Sequence, residues 1–372
     1  MPNWKEYKLS DLMEIKYGKD HKHLADGKFP LYGSGGIMRH VEKPLYEYES
    51  ILIPRKGTLT NLFYLDKPFW SVDTMFWSKI NTQLAVPKYL YYTLKTFDLA
   101  SLNVGSAVPS LTTEVLNEVL LSIPDLPTQT AIAEILSSLD AKIELNNQIN
   151  RELEDLAQAL FKQWFIDFEF PNESGQPYKS SGGEMVDSEL GEIPKGWSVE
   201  LLQDLLEVKY GKDHKHLNKG TIPVYGSGGI MRYADQALYS NHSILIPRKG
   251  TLSNLFYVSN PFWSVDTMFY SIIKKDYLRK YLYYTIKSFD LASMNVGSAV
   301  PSMTTKVLNE LKVIKPSADI LLRYENVISS TFEYSDDLIS ENHQLESLRD
   351  SLLPKLISGE LEVSEALTEK VM

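Results

Sequence analysis

The sequence predicts a mixed α/β fold in which two homologous globular domains are separated by two long antiparallel, coiled-coil-like helices, with pseudo-twofold symmetry between the halves. Three observations predict it. A set of motifs occurs twice, each set mixes strand-like and helix-like stretches, and each set is followed by a long segment with one apolar stripe. The expected boundaries are a first globular domain at 1–126, a central helix at 127–170, a linker at 171–195, a second globular domain at 196–316, a distal helix at 317–358 and an acidic tail at 359–372.

The first set reads YGKDHKHL at 17 to 24, YGSGGIMR at 32 to 39, SILIPRKGTL at 50 to 59, NLFY at 61 to 64, PFWSVDTMF at 68 to 76, KYLYYT at 88 to 93 and NVGSAVPS at 103 to 110. Every string returns unchanged, with an offset of 193 for the first five and 192 for the last two. Solenoid repeats have periods of roughly 20 to 50 residues. A period this long is a duplicated domain with its connecting helix. Within each copy, SILIPRKG and the NLFY to DTMF region are short, β-branched and aromatic, and punctuated by Gly and Pro, as strands and turns are. VPKYLYYTLKTFDLASL has helical spacing and is expected as one helix after the strands.

From Pro127 to Phe168, Ile132, Leu136, Leu139, Ile143, Ile149, Leu153, Leu156 and Leu160 recur at three- and four-residue steps, which specifies a long amphipathic helix. Pro124 and Pro127 stop a helix running in from before, and Pro171 follows its end. The stretch from Pro171 to Lys195 is poor in large apolar residues and rich in Gly, Ser, Pro and acid, and reads as a linker. After Pro316 a second stripe places Ile328, Phe332, Ile339, Leu345, Leu352 and Leu356 at positions matching the first, with Pro354 expected to kink or stop the helix near its end. One apolar stripe cannot stay solvated alone, so the helices are expected to pack on each other. Asn146 and Asn342 fall at matching places in the stripes, where a polar residue fixes register. At 1.5 Å per residue, ~35 helical residues span about 50 Å. The acidic tail is expected to fray.

Composition narrows the function. The net charge of −10 argues against a nucleic-acid partner only if it is spread evenly, and it is not. Residues 1–127 are neutral, 128–190 carry −8, 191–318 carry +6 and 319–372 carry −8. The acidity belongs to the helical segments, and local charge decides what a surface attracts. With no cysteine there is neither a disulfide framework nor a thiolate metal site. The start MPNWKEYKLS lacks the apolar core of a signal peptide, and no apolar run nears the length of a membrane span, so a cytoplasmic protein is expected.

Taken in order, WKEYKLSDL, the YGSGGI turn, the IPRKGT to DTMF block, the SAVPSLT to IPDLPTQTAIAEIL passage into the helix and GEIPKGW at the start of the second half resemble the specificity subunits of type I restriction-modification systems. The resemblance covers nearly the whole chain. It implies that each globular domain is a target-recognition domain reading half of a bipartite DNA site. The helices would then set the spacing and dock methylation subunits, two of them, beside restriction subunits that cut and translocate. S-adenosylmethionine, ATP and magnesium are then expected on those partners and not on this chain. The sequence departs from the family's commonest pattern in one respect, since its two domains are close copies. Two equivalent readers related by a twofold axis see the same half-site on opposite strands, so the target is expected to be an interrupted palindrome.

Three motifs carry candidate DNA contacts, each with a plainer reading beside it. Lys19, His21, Lys22 and His23, with Lys212, His214, Lys215 and His216, suit phosphates or base edges. They also suit a merely solvated loop, and less well a zinc site, which would want an acid or thiolate nearby. Tyr32, Ser34 and Arg39, with Tyr225, Ser227 and Arg232, surround a GSGG turn that either cradles a phosphate or simply needs positive φ. Arg55, Lys56 and Thr58, with Arg248, Lys249 and Thr251, follow a strand and are the strongest candidates, because an Arg fork grips guanine or phosphate. Asp73 and Asp266 read as buried structural carboxylates, and Tyr91, Tyr92, Tyr283 and Tyr284 as core. Asn260-Pro261-Phe262-Trp263 only faintly matches an amino-methyltransferase signature, and neither a Walker motif nor a dinucleotide fingerprint is present. The expected function is a non-catalytic, sequence-specific DNA-binding subunit. The alternative is a duplicated binding module for another polyanion or a protein, which base-sequence dependence would exclude.

Overall fold

The structure, a computed structural model, describes residues 4–105, 107–295, 297 and 301–363. Contacts divide the chain into two units, Met1–Asn147 with Leu338–Met372, and Gln148–Asp337. The domain boundaries expected from the sequence thus shift, because each unit takes in part of both long helices. Among the described residues, no helix is long and apolar enough to cross a membrane.

In the first unit the order is β1 (Lys5–Lys8), α1 (Leu9–Leu12), β2 (Met13–Tyr17), β3 (Asp26–Gly33), β4 (Gly36–Val41), β5 (Ser50–Pro54), β6 (Phe63–Leu65), β7 (Trp70–Ser71), β8 (Met75–Ile80), α2 (Pro87–Thr96), α3 (Thr113–Asn117), β9 (Leu120–Ile123) and the first part of α4 (Leu126–Phe161). Three sheets form, with strand orders β2-β8-β5-β6, β4-β3-β7 and β1-β9. All pairs are antiparallel except β3 with β7. The run SILIP is wholly buried because β5 has a core on each face. Ile51, Ile53 and Phe76 turn toward the helices, while Leu52, Met75 and Trp77 turn toward the other sheet, the two-residue period of a strand. Each fully buried aliphatic here contributes about 1.5–3 kcal/mol. Ser50 and Ser78 are buried without penalty because the Ser50 hydroxyl donates to the Ser78 carbonyl at 2.8 Å and the Ser78 hydroxyl accepts from the Ile51 N–H at 2.9 Å.

The second unit follows the same order with one addition. It contains β10 (Met185–Ser188), β11 (Gly191–Pro194), β12 (Ser198–Leu201), α5 (Leu202–Leu205), β13 (Leu206–Tyr210), β14 (Lys219–Gly226), β15 (Gly229–Ala234), β16 (Ser243–Pro247), β17 (Phe256–Val258), β18 (Trp263–Ser264), β19 (Met268–Ile273), α6 (Arg279–Ser288), α7 (Thr305–Asn309), β20 (Lys312–Lys315) and part of α8 (Ala318–Ser358). Its sheets run β13-β19-β16-β17, β15-β14-β18 and β12-β20, the same orders strand for strand, and β10-β11 is a further hairpin.

Each unit holds both long helices side by side and antiparallel. In the first, Ile132 and Leu136 share a core with Leu352 and Leu356, Asp140 accepts from Arg349 at 2.8 Å, and Asn146 donates to Asn342 at 2.9 Å, so one number falls as the other rises. In the second, Leu153 and Ala157 lie by Thr331 and Phe332, and Phe165 meets Tyr324 edge-on at 4.8 Å. Asn146 is completely buried. It also donates to Glu341 at 2.7 Å, and Asn342 donates to Asn147 at 2.9 Å.

Several expectations are corrected. The stretch at 171–195 is not a bare linker: Tyr178 stacks on Phe170 at 4.6 Å, Ile193 is buried, and β10-β11 packs on the second core. Few apolar residues suffice there because Phe168, Phe170 and Trp197 supply the surface they cover. The central helix ends before residue 170, in a π turn at Lys162–Ile166, and Phe168 takes a φ of 61° so that its ring points back to Trp197. Leu156 and Ile339 are exposed, the stripe passing through Ala157 and Leu338 instead. Helix α8 continues through Pro354 to Ser358. A helix-interior proline costs about 3 kcal/mol, and burial of Leu352, Leu356 and Ile357 outweighs it. The helix expected over VPKYLYYTLKTFDLASL breaks at Phe97, after which Asp98 accepts from the Ala100 and Ser101 N–H groups and caps a 3-10 turn at Leu99–Leu102. Of the expected acidic tail, residues 364–372 lie outside the described residues.

Candidate nucleic-acid interface

The three sequence motifs meet at one cluster of loops in each unit, and backbone hydrogen bonds bring them there. In the first unit the loop after β2 enters at Gly18, whose N–H donates to Met75 O at 2.9 Å. A Cβ at Gly18 would stand 2.0 Å from Val72 O, so no larger residue fits this approach. Lys19 N–H donates to Ser71 O at 2.9 Å and Val72 N–H to Tyr32 O at 3.0 Å, which joins that loop to the β7-β8 turn and to the β3-β4 hairpin. The hairpin turn closes on Gly36 at a φ of +110°, the plainer reading of GSGG. Asn61 Nδ2 donates to Ser34 O at 2.9 Å and ties the turn to the loop between β5 and β6.

That last loop carries Arg55, Lys56 and Thr58. Arg55 N–H donates to Thr74 O at 2.8 Å, and Gly57 N–H to Pro109 O at 3.0 Å. The NVGSAVPS segment therefore belongs to the cluster too, a role the sequence did not suggest. Its Asn103 Oδ1 accepts from the Gly105 and Ser110 N–H groups, both at 2.8 Å, and shapes the loop. Ser106 lies outside the described residues.

The side chains divide by what they already do. Arg39 has its fork occupied: it donates to Asp26 Oδ1 at 2.8 Å, to His21 O at 2.8 Å and to Leu24 O at 3.0 Å, so it braces the Lys19–Leu24 loop from behind. Arg232 does the same through His214 O and Leu217 O, both at 2.9 Å. Tyr32 packs on Phe63 and Tyr225 on Phe256, each at 5.6 Å, and burial raises both phenol pKa values, so their hydroxyls stay protonated. His23 turns edge-on to Trp70, and Trp70 Nε1 donates to Lys19 O at 3.1 Å. His21 keeps a buried Nδ1 with no hydrogen-bond partner among the described residues, as does His214.

Arg55 and Arg248 lie over the exposed rings of Tyr17 and Tyr210, at 5.7 and 5.5 Å. A guanidinium over a tyrosine face is pre-oriented at little entropic cost. Lys19, Lys22, Lys56, Lys212, Lys215 and Lys249 are exposed, and none has an ion-pair partner among the described residues. Asp73 and Asp266 are exposed in the β7-β8 and β18-β19 turns, not buried as their aromatic neighbours suggested. Tyr92 and Tyr284 are buried, bonding Asp140 at 2.5 Å and Glu154 at 3.0 Å on the long helix. No cluster of three His, Asp or Glu placed to hold a metal occurs among the described residues. The arrangement can hold anionic phosphates and offer directed donors to base edges.

The second unit repeats these bonds almost distance for distance, including Asn254 to Ser227 O at 2.9 Å, Gly250 to Pro301 O at 3.1 Å and Trp263 Nε1 to Lys212 O at 3.0 Å. A family model, the type I restriction modification DNA specificity domain, matches residues 1–155 and again 194–348. The chain belongs to that family. It is a specificity subunit by this membership.

The MjaIX specificity subunit of Methanocaldococcus jannaschii is 28% identical over 98% of this chain and 94% of its own length. The HindI specificity subunit of Haemophilus influenzae is 25% identical over 76% of this chain and 79% of its own. The crystal structure of the type I restriction-modification system S subunit from M. genitalium shares the fold, with a TM-score of 0.64 at 18% identity over 95% of this chain and 96% of that one.

Proposed function

We propose that the two units read the same DNA half-site in opposite senses, so that the complex containing this subunit recognises an interrupted palindrome. One observation carries the reading: six exposed candidate contacts are identical in the two copies while the surface around them has changed. Tyr17, Lys19, Lys22, His23, Lys56 and Thr58 recur as Tyr210, Lys212, Lys215, His216, Lys249 and Thr251, whereas exposed Asp26, Lys28, Glu47 and Lys67 stand as Lys219, Thr221, Ser240 and Asn260. Recognition chemistry kept twice, on one backbone geometry, selects one base sequence twice.

In this reading Arg55 and Arg248 contact base edges, the exposed lysines neutralise phosphates, and Arg39 and Arg232 hold the loops in shape. The long helices act as the spacer and as the docking surface for two methylation subunits, with restriction subunits joining them. The net charges of −4 on α4 and −5 on α8 keep those faces off DNA and open to protein. S-adenosylmethionine, ATP and magnesium bind the partners, and the assembly works in the cytoplasm. Mapping methylated adenines in host DNA tests this. Each modified motif is expected to consist of two halves that are reverse complements, and a motif with unrelated halves contradicts it.

A further inference from the structure

Each loop cluster also carries an apolar tip that the contacts above leave unused. Ile37 and Met38 lead from the glycine turn onto β4, the edge of its sheet, and are 55% and 60% exposed; Ile230 and Met231 are 45% and 59% exposed. A lone exposed apolar residue needs no explanation, but an adjacent pair on a sheet edge invites unwanted pairing and is ordinarily replaced. Replacement has had every opportunity here. Tyr48, the most exposed of the large apolar side chains at 72%, is Asn241 in the second copy. Next to the tip itself, His40 stands as Tyr233, and Lys43 as Gln236. The pair is nevertheless unchanged, and packing does not account for it, because more than half of each side chain in the first copy meets solvent.

The tip is also held in place. A Cβ on Gly33 would stand 2.7 Å from Met38 Sδ, and one on Gly226 2.6 Å from Met231 Sδ, so the thioether lies across the turn in both copies. Through Asn61 to Ser34 that turn is bonded to the loop of Arg55 and Lys56. An apolar pair tied to a loop that carries cations complements a duplex, whose phosphates are anionic and whose bases are not.

Building on the reading of the preceding subsection, we propose that Ile37 with Met38, and Ile230 with Met231, are specificity-determining base contacts. The cations hold the phosphates while the tip meets bases, either at thymine methyl groups or in an opened base step.

The test uses the full chain with its methylation subunits and a variant carrying Ile37→Thr, Met38→Gln, Ile230→Thr and Met231→Gln, all exposed positions, checked for unchanged melting. The probes are a duplex bearing the consensus that the unaltered protein selects, a random-sequence duplex, and the consensus with each thymine replaced by uracil. The variant is expected to lose roughly 10- to 100-fold affinity for the consensus and little for random sequence. Uracil that weakens the unaltered protein but not the variant identifies methyl contact, and indifference to uracil with the same loss identifies an opened step. Equal affinity of variant and parent for the consensus overturns the proposal, as does an equal loss on both duplexes. Loss of the methylation subunits with DNA binding kept also overturns it, and assigns the tip to a protein partner. A parent protein that selects no consensus overturns the DNA reading and the tip together.

Discussion

At the residue scale, two arginines with similar sequence surroundings do opposite things. Arg39 donates from both terminal nitrogens to Asp26 and two carbonyls, while Arg55 lies over the exposed Tyr17 ring. Replacing Arg55 and Arg248 together by Ala is therefore expected to cost about 1–3 kcal/mol of DNA affinity per bidentate contact, with melting lowered only by loss of the bond that Arg248 Nη1 donates to Asp266 O at 2.8 Å. Replacing Arg39 by Gln instead removes bonds to buried carbonyls worth about 1–3 kcal/mol and loosens the Lys19–Leu24 loop. It should lower melting and DNA affinity together, and titration of a labelled duplex beside calorimetry separates the cases. The sequence named both residues as contacts because charge and loop position are legible in it. Which donors are already spent depends on carbonyls fifteen and eighteen residues away, and no local pattern records that.

At the element scale, the long helices were legible because a period of 3.6 over many turns has no competing explanation, and their pairing followed from each having one apolar stripe. The hairpin at 185–194 was not, because four-residue strands flanked by Gly and Ser look like linker until the aromatic surface they cover is known. The buried Asn146 predicts a measurable cost. Asn146→Ala leaves Asn342 Oδ1 without its donor in the seam and should lower stability by about 1–3 kcal/mol by chemical denaturation. The second unit should also be the more acid-sensitive. Burial lowers the pKa of His242 from the usual value near 6.5, helped by Arg279 and Lys280 and opposed by Glu325 and Asp276, while its Nδ1 lies 3.0 Å from the Tyr257 hydroxyl. Below about pH 6.5 the unfolded chain takes up a proton that the folded unit refuses, so stability present above that pH falls as pH drops through the window beneath it. His242→Gln is expected to flatten that fall in melting temperature. The first unit, with Glu49 bonded to Tyr64 at the matching place, has no such group there.

At the scale of the whole molecule, the duplication is the property from which function follows. Exchanging the globular residues 4–124 and 197–316 should leave the recognised sequence unaltered, since the proposed contact residues are the same in both. Deleting one heptad from α4 and its partner heptad from α8 shortens the spacer by about 10 Å, so the preferred gap between half-sites should shrink by about three base pairs. A gap that stays the same would mean that the helices do not set it. The most direct measurement is selection of bound duplexes from a fully randomised library by the full chain with its methylation subunits. Two identical half-sites in inverted orientation at a fixed gap are the predicted result, and two different half-sites, or one repeated in the same direction, would contradict the account.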